Sequence, residues 1–339
     1  MSAPKPNTKY GFMAKVESTY GTAIALTAGA DGLQLATRPE PATEYLNDGS
    51  RGRAPGSGGK MQPVVPSGLG FSMTAEMEPV GFGAAYSAPN VPPGVHTALR
   101  ISGMEALGSF TGGSEKYTYS PESGPTGFDS ATVEAYVNGQ KHPGRGVYAT
   151  FSISADGLVV PTWAFELQGI GTIPTDAALP AITYPAVTNL PPKAVSIAFS
   201  IGTGTPFTTG KVRSFTFTLG RELHPRADQS GADPHSGFTP GDRAPSLEVV
   251  IEAVALHTST PWYTGTTFNP YKMVDDKNVV VVSIAVGTVQ YKRYKINFPQ
   301  CTLTSVEDGD DGATATWTLT FTPHVSTPIL DDDFNIVFD

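Results

Sequence analysis

Three runs of alternating apolar and polar side chains follow one another between residues 131 and 169. The first run, residues 132–137, ends at Asn138-Gly139, the dipeptide that best fits a two-residue turn with positive φ. The second and third runs, residues 147–154 and 162–168, are separated by another short turn that contains glycine. Alternation with a period of two directs one set of side chains into a core and the other set to the opposite face. The block therefore predicts three consecutive β-strands.

A similar pattern returns near the end of the chain. Trp, Leu and Phe alternate with threonine over residues 316–322, directly after an Asp/Gly turn at residues 308–312. Each half also contains a long irregular segment, residues 41–66 or residues 222–245, that is followed by a strand pattern. The two halves share little sequence identity, so the order of elements carries the interpretation. We predict a tandem repeat of one mostly-β unit.

The composition favours short strands and turns. Charged residues make up 16% of the chain, and glycine and proline number 37 and 30, a mixture that disfavours long helices. A length of 339 residues accommodates two ordinary domains. We therefore predict a mainly-β chain with domains at residues 1–183 and 190–339, connected by an extended linker over residues 173–192. A short helix is predicted at residues 94–102, and the poorly patterned residues 258–276 stand at the corresponding place in the second half.

Charge and cysteine usage exclude several classes of protein. The net charge of −9 disfavours attraction to nucleic-acid phosphates, which requires clustered lysine and arginine. The single cysteine, Cys301, excludes an internal disulfide framework, and we predict that it is a small core residue. No window approaches the roughly 20 apolar residues of a membrane-spanning helix. The first ten residues lack the apolar run of a signal peptide, so we expect synthesis in the cytoplasm and no membrane association.

Motifs for catalysis or metal binding are weak. A flexible segment holds His224, His235 and two aspartates, which is either a metal site or a solvated loop. Three aspartates before Gly312 resemble part of a calcium loop, but the bidentate glutamate of such loops is missing, so a charged hairpin turn is preferred. We predict no catalytic residue, no metal site and no cofactor, and hence no enzyme. Trp163 and Trp317 are predicted to be core aromatics.

The opening pattern, Lys15 and Glu17-Ser18-Thr19-Tyr20-Gly21-Thr22, resembles the start of tail tube proteins (major tail proteins) of long non-contractile-tailed bacteriophages. The resemblance extends over most of the chain. It continues in a second set of residues in the order typical of the helix, hairpin and closing strand of that family, namely His96, Leu99, Arg100, Gly103, Tyr117–Pro121, Tyr136, Asn138-Gly139, His142, Gly146, Phe151, Asp156-Gly157, Pro161 and Phe165–Gly169.

The resemblance implies a fold and a mode of assembly. Tail tube proteins have β-sandwich or half-barrel domains with a flanking helix, and the sheets of ring neighbours join into a continuous inner barrel. With two such domains in one chain, three copies supply the six domains of a ring. Homotrimeric rings would then stack head to tail into a helical tube, because heterologous contacts that do not close build filaments. DNA would pass through the tube during ejection without specific binding.

The resemblance also implies partners and functional residues. The family acts in the virion tail with tail terminator, tape measure and distal tail proteins, after synthesis in the host cytoplasm. The N-terminal arm, residues 1–22, and the two long segments are expected to contact adjacent rings. The residues expected at these contacts are Lys15, Glu17, Tyr20, Tyr45, Arg51, Arg53, His224, Arg226 and Trp262. Three glutamates opposite the apolar strand faces are the candidates to line the channel: Glu134, Glu166 and Glu248.

A second hypothesis comes from a different functional class. Two tandem β-sandwiches also occur in carbohydrate-binding or adhesive modules of surface and tail-fibre proteins. Exposed aromatic side chains on one sheet face would favour this alternative, and Tyr136 and Tyr148 come nearest to such a stripe. An enzyme ranks third, because no convergent set of polar residues supports one.

Overall fold

The computed structural model describes residues 9–48, 65–79, 85–87, 91–92, 95–124, 128–157, 159–184, 197–227, 235–327 and 331–339. The structure is 52% strand and 5% helix, which confirms the predicted mainly-β, sandwich-like fold class. No helix in this part of the chain is long and apolar enough to cross a membrane.

Nine of the described strands precede residue 184. They are β1 (Tyr10–Val16), β2 (Ala42–Asp48), β3 (Val65–Met77), β4 (Met104–Ser109), β5 (Lys116–Pro121), β6 (Ala131–Val137), β7 (Gln140–Asp156), β8 (Thr162–Gly171) and β9 (Thr175–Asp176). The other nine follow residue 196. They are β10 (Ile197–Ile201), β11 (Val212–Thr218), β12 (Leu223–Ala227), β13 (His235–Pro240), β14 (Ser246–Glu252), β15 (Val279–Val286), β16 (Tyr294–Asp311), β17 (Thr314–Pro323) and β18 (Asn335–Phe338).

Strands β6, β7 and β8 are the three consecutive strands that the alternation predicts. Asn138 and Gly139 adopt φ values of 57° and 71°, as the tight turn between β6 and β7 requires. Across β7 and β8, Phe151 lies opposite Phe165, and both side chains are buried. The period of two therefore assigned the core face of β7 and β8 correctly, whereas in β6 Thr132 and Tyr136 of the opposite face are buried as well.

The central sheet has the strand order β2-β3-β8-β7-β11-β14-β17-β16. Its first four strands come from the first half of the chain and its last four from the second half. The strands of the two sets follow the same order. In the second half β11 corresponds to β2 of the first half, β14 to β3, β17 to β8 and β16 to β7. They join where β7 pairs antiparallel with β11, for example at Ile153 opposite Phe217. One continuous sheet therefore runs through both halves.

Strands β7 and β16 extend beyond the central sheet. They have 17 and 18 residues, and their N-terminal parts pair with β6 and β15 instead. Their pairing with β8 and β17 shifts register near residues 145–148 and 303–305. Because a β-bulge bends its strand, each long strand can turn from the central sheet into a second layer. In that layer β18 pairs with both β16 and β5, so the end of the chain contacts the first half.

Two features of β16 differ from the sequence-based expectation. Proline usually interrupts a strand, yet β16 continues through Pro299, because the register shift between Val280 and Val282 of β15 provides a bulge that a proline without an N–H can occupy. The turn at residues 308–312 is also shorter than predicted. Asp308 and Asp310 belong to β16 and lie opposite Trp317 and Ala315 of β17. The chain reverses only at Gly312, whose φ is 71°.

The segments expected to be irregular contain regular pairing. Within residues 222–245, β12 and β13 form an antiparallel hairpin with Leu223 opposite Pro240. Residues 41–66 begin in β2 and end in β3, with Ala42 opposite Ser72. Proline, glycine and polar side chains in both segments obscure the alternation. The described part of the predicted linker, residues 173–184, lies against the first half, where the Thr183 N–H donates to the Ala28 carbonyl at 2.8 Å.

Both helices are short. Helix α1 (Val95–Ile101) lies where residues 94–102 predict it, and Gly103 follows with a φ of 75° as a C-terminal cap. Helix α2 (Pro270–Asp275) lies in the poorly patterned segment of the second half. The Asn269 side chain caps it by accepting from the Lys272 N–H at 3.1 Å.

A single cluster of buried side chains spans both halves. Trp163 and Trp317 are 0% and 5% exposed and Cys301 is 0% exposed, which confirms all three as core residues. The Trp163 indole N–H donates to the Tyr294 hydroxyl at 3.3 Å, and its ring lies 6.0 Å from that of Phe338. A residue of the first half thus packs on two residues of the second, so the halves bury apolar surface together.

Candidate functional site

The polar face of the central sheet carries exposed glutamates from both halves, among them Glu166 and Glu248. Glu166 on β8 lies opposite Thr74 of β3 and Thr150 of β7. Glu248 on β14 lies opposite Thr320 of β17 and Thr216 of β11. In the described part of the chain neither carboxylate has an ion-pair partner, so both negative charges on this face are unbalanced, and their cross-strand neighbours are threonines.

Glu134, the third glutamate expected on this face, lies elsewhere. It belongs to β6, which pairs with the N-terminal part of β7 and with β1. Its carboxylate is 3.1 Å from the Lys141 ammonium and accepts from the Tyr136 hydroxyl at 2.6 Å. Burial, with this hydrogen bond, raises the pKa of the Tyr136 hydroxyl. The charge of Glu134 is therefore locally balanced, unlike that of Glu166 or Glu248.

Glu17 is a buried carboxylate, 7% exposed, at the end of β1. It accepts hydrogen bonds from the Ser130 and Thr132 hydroxyls at 2.7 and 2.9 Å. It also accepts from the backbone N–H groups of Gly21 and Gly146, both at 2.9 Å. Four donors saturate the carboxylate, which fixes the turn after β1 against β6 and β7.

Tyr20 holds the β12–β13 hairpin of the second half over the first half. Its ring stacks on Tyr148 with 5.5 Å between centroids and 15° between planes. Its hydroxyl accepts from the backbone N–H of Phe238 at 2.9 Å. At Gly237, φ is 98° and a Cβ atom would lie 1.8 Å from that hydroxyl oxygen, so this position requires glycine. Burial raises the pKa of Tyr20 and raises that of Tyr148 to about 12.

The other residues expected at inter-ring contacts are distributed over the surface. Lys15 lies 3.7 Å from Asp31, and His224 lies 3.6 Å from Glu222. Arg226 is exposed on β12, in the same hairpin as His224.

Two further residues expected at inter-ring contacts, Tyr45 and Trp262, lie on different elements of the chain. Tyr45 is paired with Leu69 through the backbone of β2 and β3. Trp262 lies beside α2 instead, where its indole N–H donates to Asp276 at 2.5 Å. Arg51 and Arg53 lie outside the described residues.

The aromatic pair that would favour carbohydrate binding is largely covered. Tyr136 and Tyr148 are each 8% exposed. Tyr148 lies under the Tyr20 ring, so neither tyrosine offers an open stacking platform to a sugar. Within the described ranges, no group of three or more His, Cys, Asp or Glu side chains is placed to hold a metal ion.

Both ends of the central sheet are open, which the sequence did not reveal. β2 forms one end, and in the described chain no strand pairs with its outer edge or with that of residues 36–41 before it. At the other end, β16 pairs with β15 only up to Thr302, and none of the strands that the structure describes pairs with residues 303–311 on that edge. Within the chain, the corresponding edges of β11 and β7 pair with each other. The open part of β16 carries Glu307 and the three aspartates that the sequence analysis interpreted as a charged turn.

Comparison with known proteins identifies a family. The family model described as phage tail tube protein matches residues 11–273, well over half of the chain. The matched region contains the Glu17 network, the Tyr20 contact and the β7–β11 junction. No curated protein matches the chain.

Proposed function

Because the chain belongs to the phage tail tube protein family, we propose that copies of it assemble into stacked rings that form the tail tube and conduct DNA during ejection. The role is structural, with no catalytic step. The observation that supports the proposal is a central sheet whose two halves pair at β7 and β11, while in the described part of the chain each end of that sheet keeps an unpaired strand edge.

Ring closure follows from repeating the internal junction. Ser152, on β7, lies opposite Thr218 of β11. The corresponding pair between copies is Glu307, on the open edge of β16, and Ala42, on the open edge of β2 of the next copy. Each added copy continues the sheet and leaves the same two edges open until the ring closes. Closure removes unpaired strand edges, which otherwise invite uncontrolled association.

Three copies supply six four-strand sets to one ring. We assign the two sets to two tandem tail-tube-like domains, residues 1–183 and 190–339, which gives a trimer with pseudo-sixfold symmetry. Their shared core, with Trp163 on Tyr294, makes the pair of domains one rigid building unit. Rings then stack head to tail, and the residues expected at that contact are those of the N-terminal arm and of the two hairpins.

The polar face of the sheet would line the channel. Glu166 and Glu248 occupy the same row of their sets, on β8 and on the counterpart of β3, each opposite a threonine, so three copies would place six carboxylates around the lumen. Like charge disfavours contact with DNA phosphates, which lets DNA slide. The partners that the proposal implies are other copies of the chain and the tail terminator, tape measure and distal tail proteins of a virion.

An engineered disulfide tests the ring directly. Leu219 donates its N–H to Phe151, so the neighbouring pair Ser152–Thr218 is a non-hydrogen-bonded pair, whose Cα separation suits a disulfide. We therefore expect Ala42→Cys with Glu307→Cys to give a covalent trimer under oxidising conditions, seen by denaturing electrophoresis, and rings with a central channel by negative-stain microscopy.

Each single cysteine variant is the matched control and should stay monomeric under denaturing conditions. A persistent monomer in the double variant that also forms no rings would exclude ring assembly through these edges. Binding of the wild-type monomer to a glycan array would favour the carbohydrate-binding alternative.

A further inference from the structure

A groove of about 560 Å³ lies between the two halves, at the base of the β12–β13 hairpin. Ser123 and Phe128 of the first half and Arg221 and Arg243 of the second half are among the residues that line it. The chain satisfies one of these arginines and leaves the other with unmet donors, and that difference identifies which one can receive a ligand.

Arg243 is satisfied inside the chain. Its Nε and Nη2 donate to the two oxygens of Asp333, both at 2.9 Å, and Nη2 also donates to Asp331 at 2.9 Å. Its Nη1 donates to the Ser123 hydroxyl at 2.5 Å. Asp331 accepts a further bond from the Ser123 N–H at 2.9 Å. Arg243 therefore ties the two halves together and is not a free binding group.

Arg221 is buried without such partners. It is 5% exposed, and no carboxylate in the described ranges forms an ion pair with it. Its Nε has no hydrogen-bond partner there, and its Nη2 donates to the Glu122 carbonyl over a long 3.4 Å. Burial and the Arg243 charge lower the pKa of Arg221 to about 10, which nearby aspartates offset only in part. An unmet N–H on a buried cation is costly, and a ligand that accepts from it removes that cost.

The plane of the Arg221 guanidinium is fixed by its neighbours. Its carbon lies 4.6 Å from the centre of the Phe128 ring, a cation–π contact. Gly103, which caps α1, makes room for both groups: a Cβ atom there would lie 2.5 Å from the Phe128 ring and 3.1 Å from the guanidinium carbon. A guanidinium held in one plane is a preformed fork for the paired oxygens of a carboxylate or a phosphate.

We infer that Arg221 binds an oxyanion that enters the groove and accepts a hydrogen bond from its Nε. This chemistry has two sources, inorganic phosphate and a carboxylate side chain of a second copy. Phosphate binding is independent of the ring proposed above, whereas binding of a second copy's carboxylate rests on it. The exposed Asp242 carboxylate also lines the groove, and its charge opposes an incoming anion.

Thermal unfolding in inorganic phosphate tests the first source. We expect the melting temperature of the wild type to rise by about 2 °C at a phosphate concentration tenfold above its Kd, relative to chloride of the same ionic strength. Arg221→Gln should lose this rise. Asp242→Asn keeps Arg221 and removes the opposing charge, so it should reach the same rise at a several-fold lower phosphate concentration.

Phosphate also stabilises folded proteins without a binding site, so the comparison needs a control. Lys116→Gln removes an exposed cation from β5, outside the groove, and should keep the wild-type response. Circular dichroism verifies that each variant is folded. Asp242→Asn decides the matter by itself where Arg221→Gln does not fold, because it leaves the buried arginine in place.

Assembly tests the second source. With a carboxylate of a second copy in the groove, Arg221→Gln should raise the threshold concentration for ring formation by about tenfold, and Asp242→Asn should lower it. Lys116→Gln should keep the wild-type threshold, which light scattering and sedimentation measure. Phosphate responses and thresholds that are both unchanged in the Arg221 and Asp242 variants would overturn the oxyanion site. A folded wild type that forms no rings would overturn the proposed function instead, and the phosphate response then decides the site alone.

Discussion

The Tyr20 hydroxyl accepts a hydrogen bond from the backbone N–H of Phe238 at 2.9 Å, although the two residues are 218 positions apart in the sequence. The contact connects the turn after the first strand to a hairpin of the second half. Together with the Tyr148 stack, it seats the hairpin on the sheet of the first half. A residue expected at a contact between rings therefore has a defined role inside one chain, while its role between rings stays a prediction.

Removing that hydroxyl should loosen the hairpin. Tyr20→Phe keeps the stack on Tyr148 and loses one hydrogen bond, which we expect to lower the free energy of unfolding by about 1 kcal/mol. Urea denaturation measures this loss, and hydrogen exchange of the Phe238 amide should accelerate selectively. Tyr136→Phe is the matched control, since that hydroxyl bonds Glu134 on its own strand. An unchanged exchange rate at Phe238 would contradict the assigned role.

Neutralising Glu17 should destabilise the fold more strongly. Glu17→Gln replaces one acceptor oxygen by an NH₂ donor, which faces either the Ser130 and Gly21 donors or the Thr132 and Gly146 donors. Because charge-assisted hydrogen bonds are lost in a buried site, we expect a loss of about 2–3 kcal/mol in unfolding free energy. Thermal and urea unfolding measure it. Glu248→Gln, on an exposed position, should change stability little, and similar losses for both variants would refute the argument.

His96 should make the fold sensitive to acid. Burial, with the nearby Arg100 charge, lowers the pKa of His96 from 6.5 to about 4, and its Nδ1 lies 2.8 Å from the Tyr119 hydroxyl. Between these values the unfolded chain binds a proton that the folded chain does not. Stability should therefore fall as pH drops from about 6.5 to about 4, by up to about 3 kcal/mol, and this contribution levels off at lower pH.

Denaturant unfolding over that pH range measures the slope. His96→Gln cannot take up the proton and should flatten it, whereas His224→Gln, at an exposed site, should keep the wild-type slope. The same slope in His96→Gln as in the wild type would assign the acid sensitivity to other groups.

Reversing charge on the polar sheet face should make assembled tubes retain DNA. Glu166→Lys with Glu248→Lys turns like charge into attraction for phosphate, while both side chains point away from the core. We expect tubes to form and to protect added linear DNA from nuclease at low salt, with the protection lost at high salt. Glu105→Lys, on β4, is the control for a surface lysine. Equal protection by this control would place Glu166 and Glu248 outside the channel.

The sequence predicted the local elements well where alternation was strict. Strands β6 to β8, helix α1 and the core positions of Trp163 and Trp317 follow from periodicity and turn chemistry, because these depend on neighbours a few residues away. Pattern reasoning failed at the β12–β13 hairpin, whose two strands contain two prolines and exposed polar side chains. It also interpreted the acidic end of β16 as a turn, since carboxylates on an open edge and in a loop look alike in sequence.

By itself, the sequence determined which side chains face a core, where the chain reverses at positive-φ positions such as Asn138-Gly139, and the family resemblance that the comparison confirmed. Only the tertiary structure decided that β7 pairs with β11, that Tyr20 receives a hairpin from the other half, and that among the described residues β2 and residues 303–311 of β16 keep an unpaired edge. The physical reason is that strand pairing across the halves depends on the packing of groups distant in sequence, such as Trp163 and Tyr294, which no local pattern encodes.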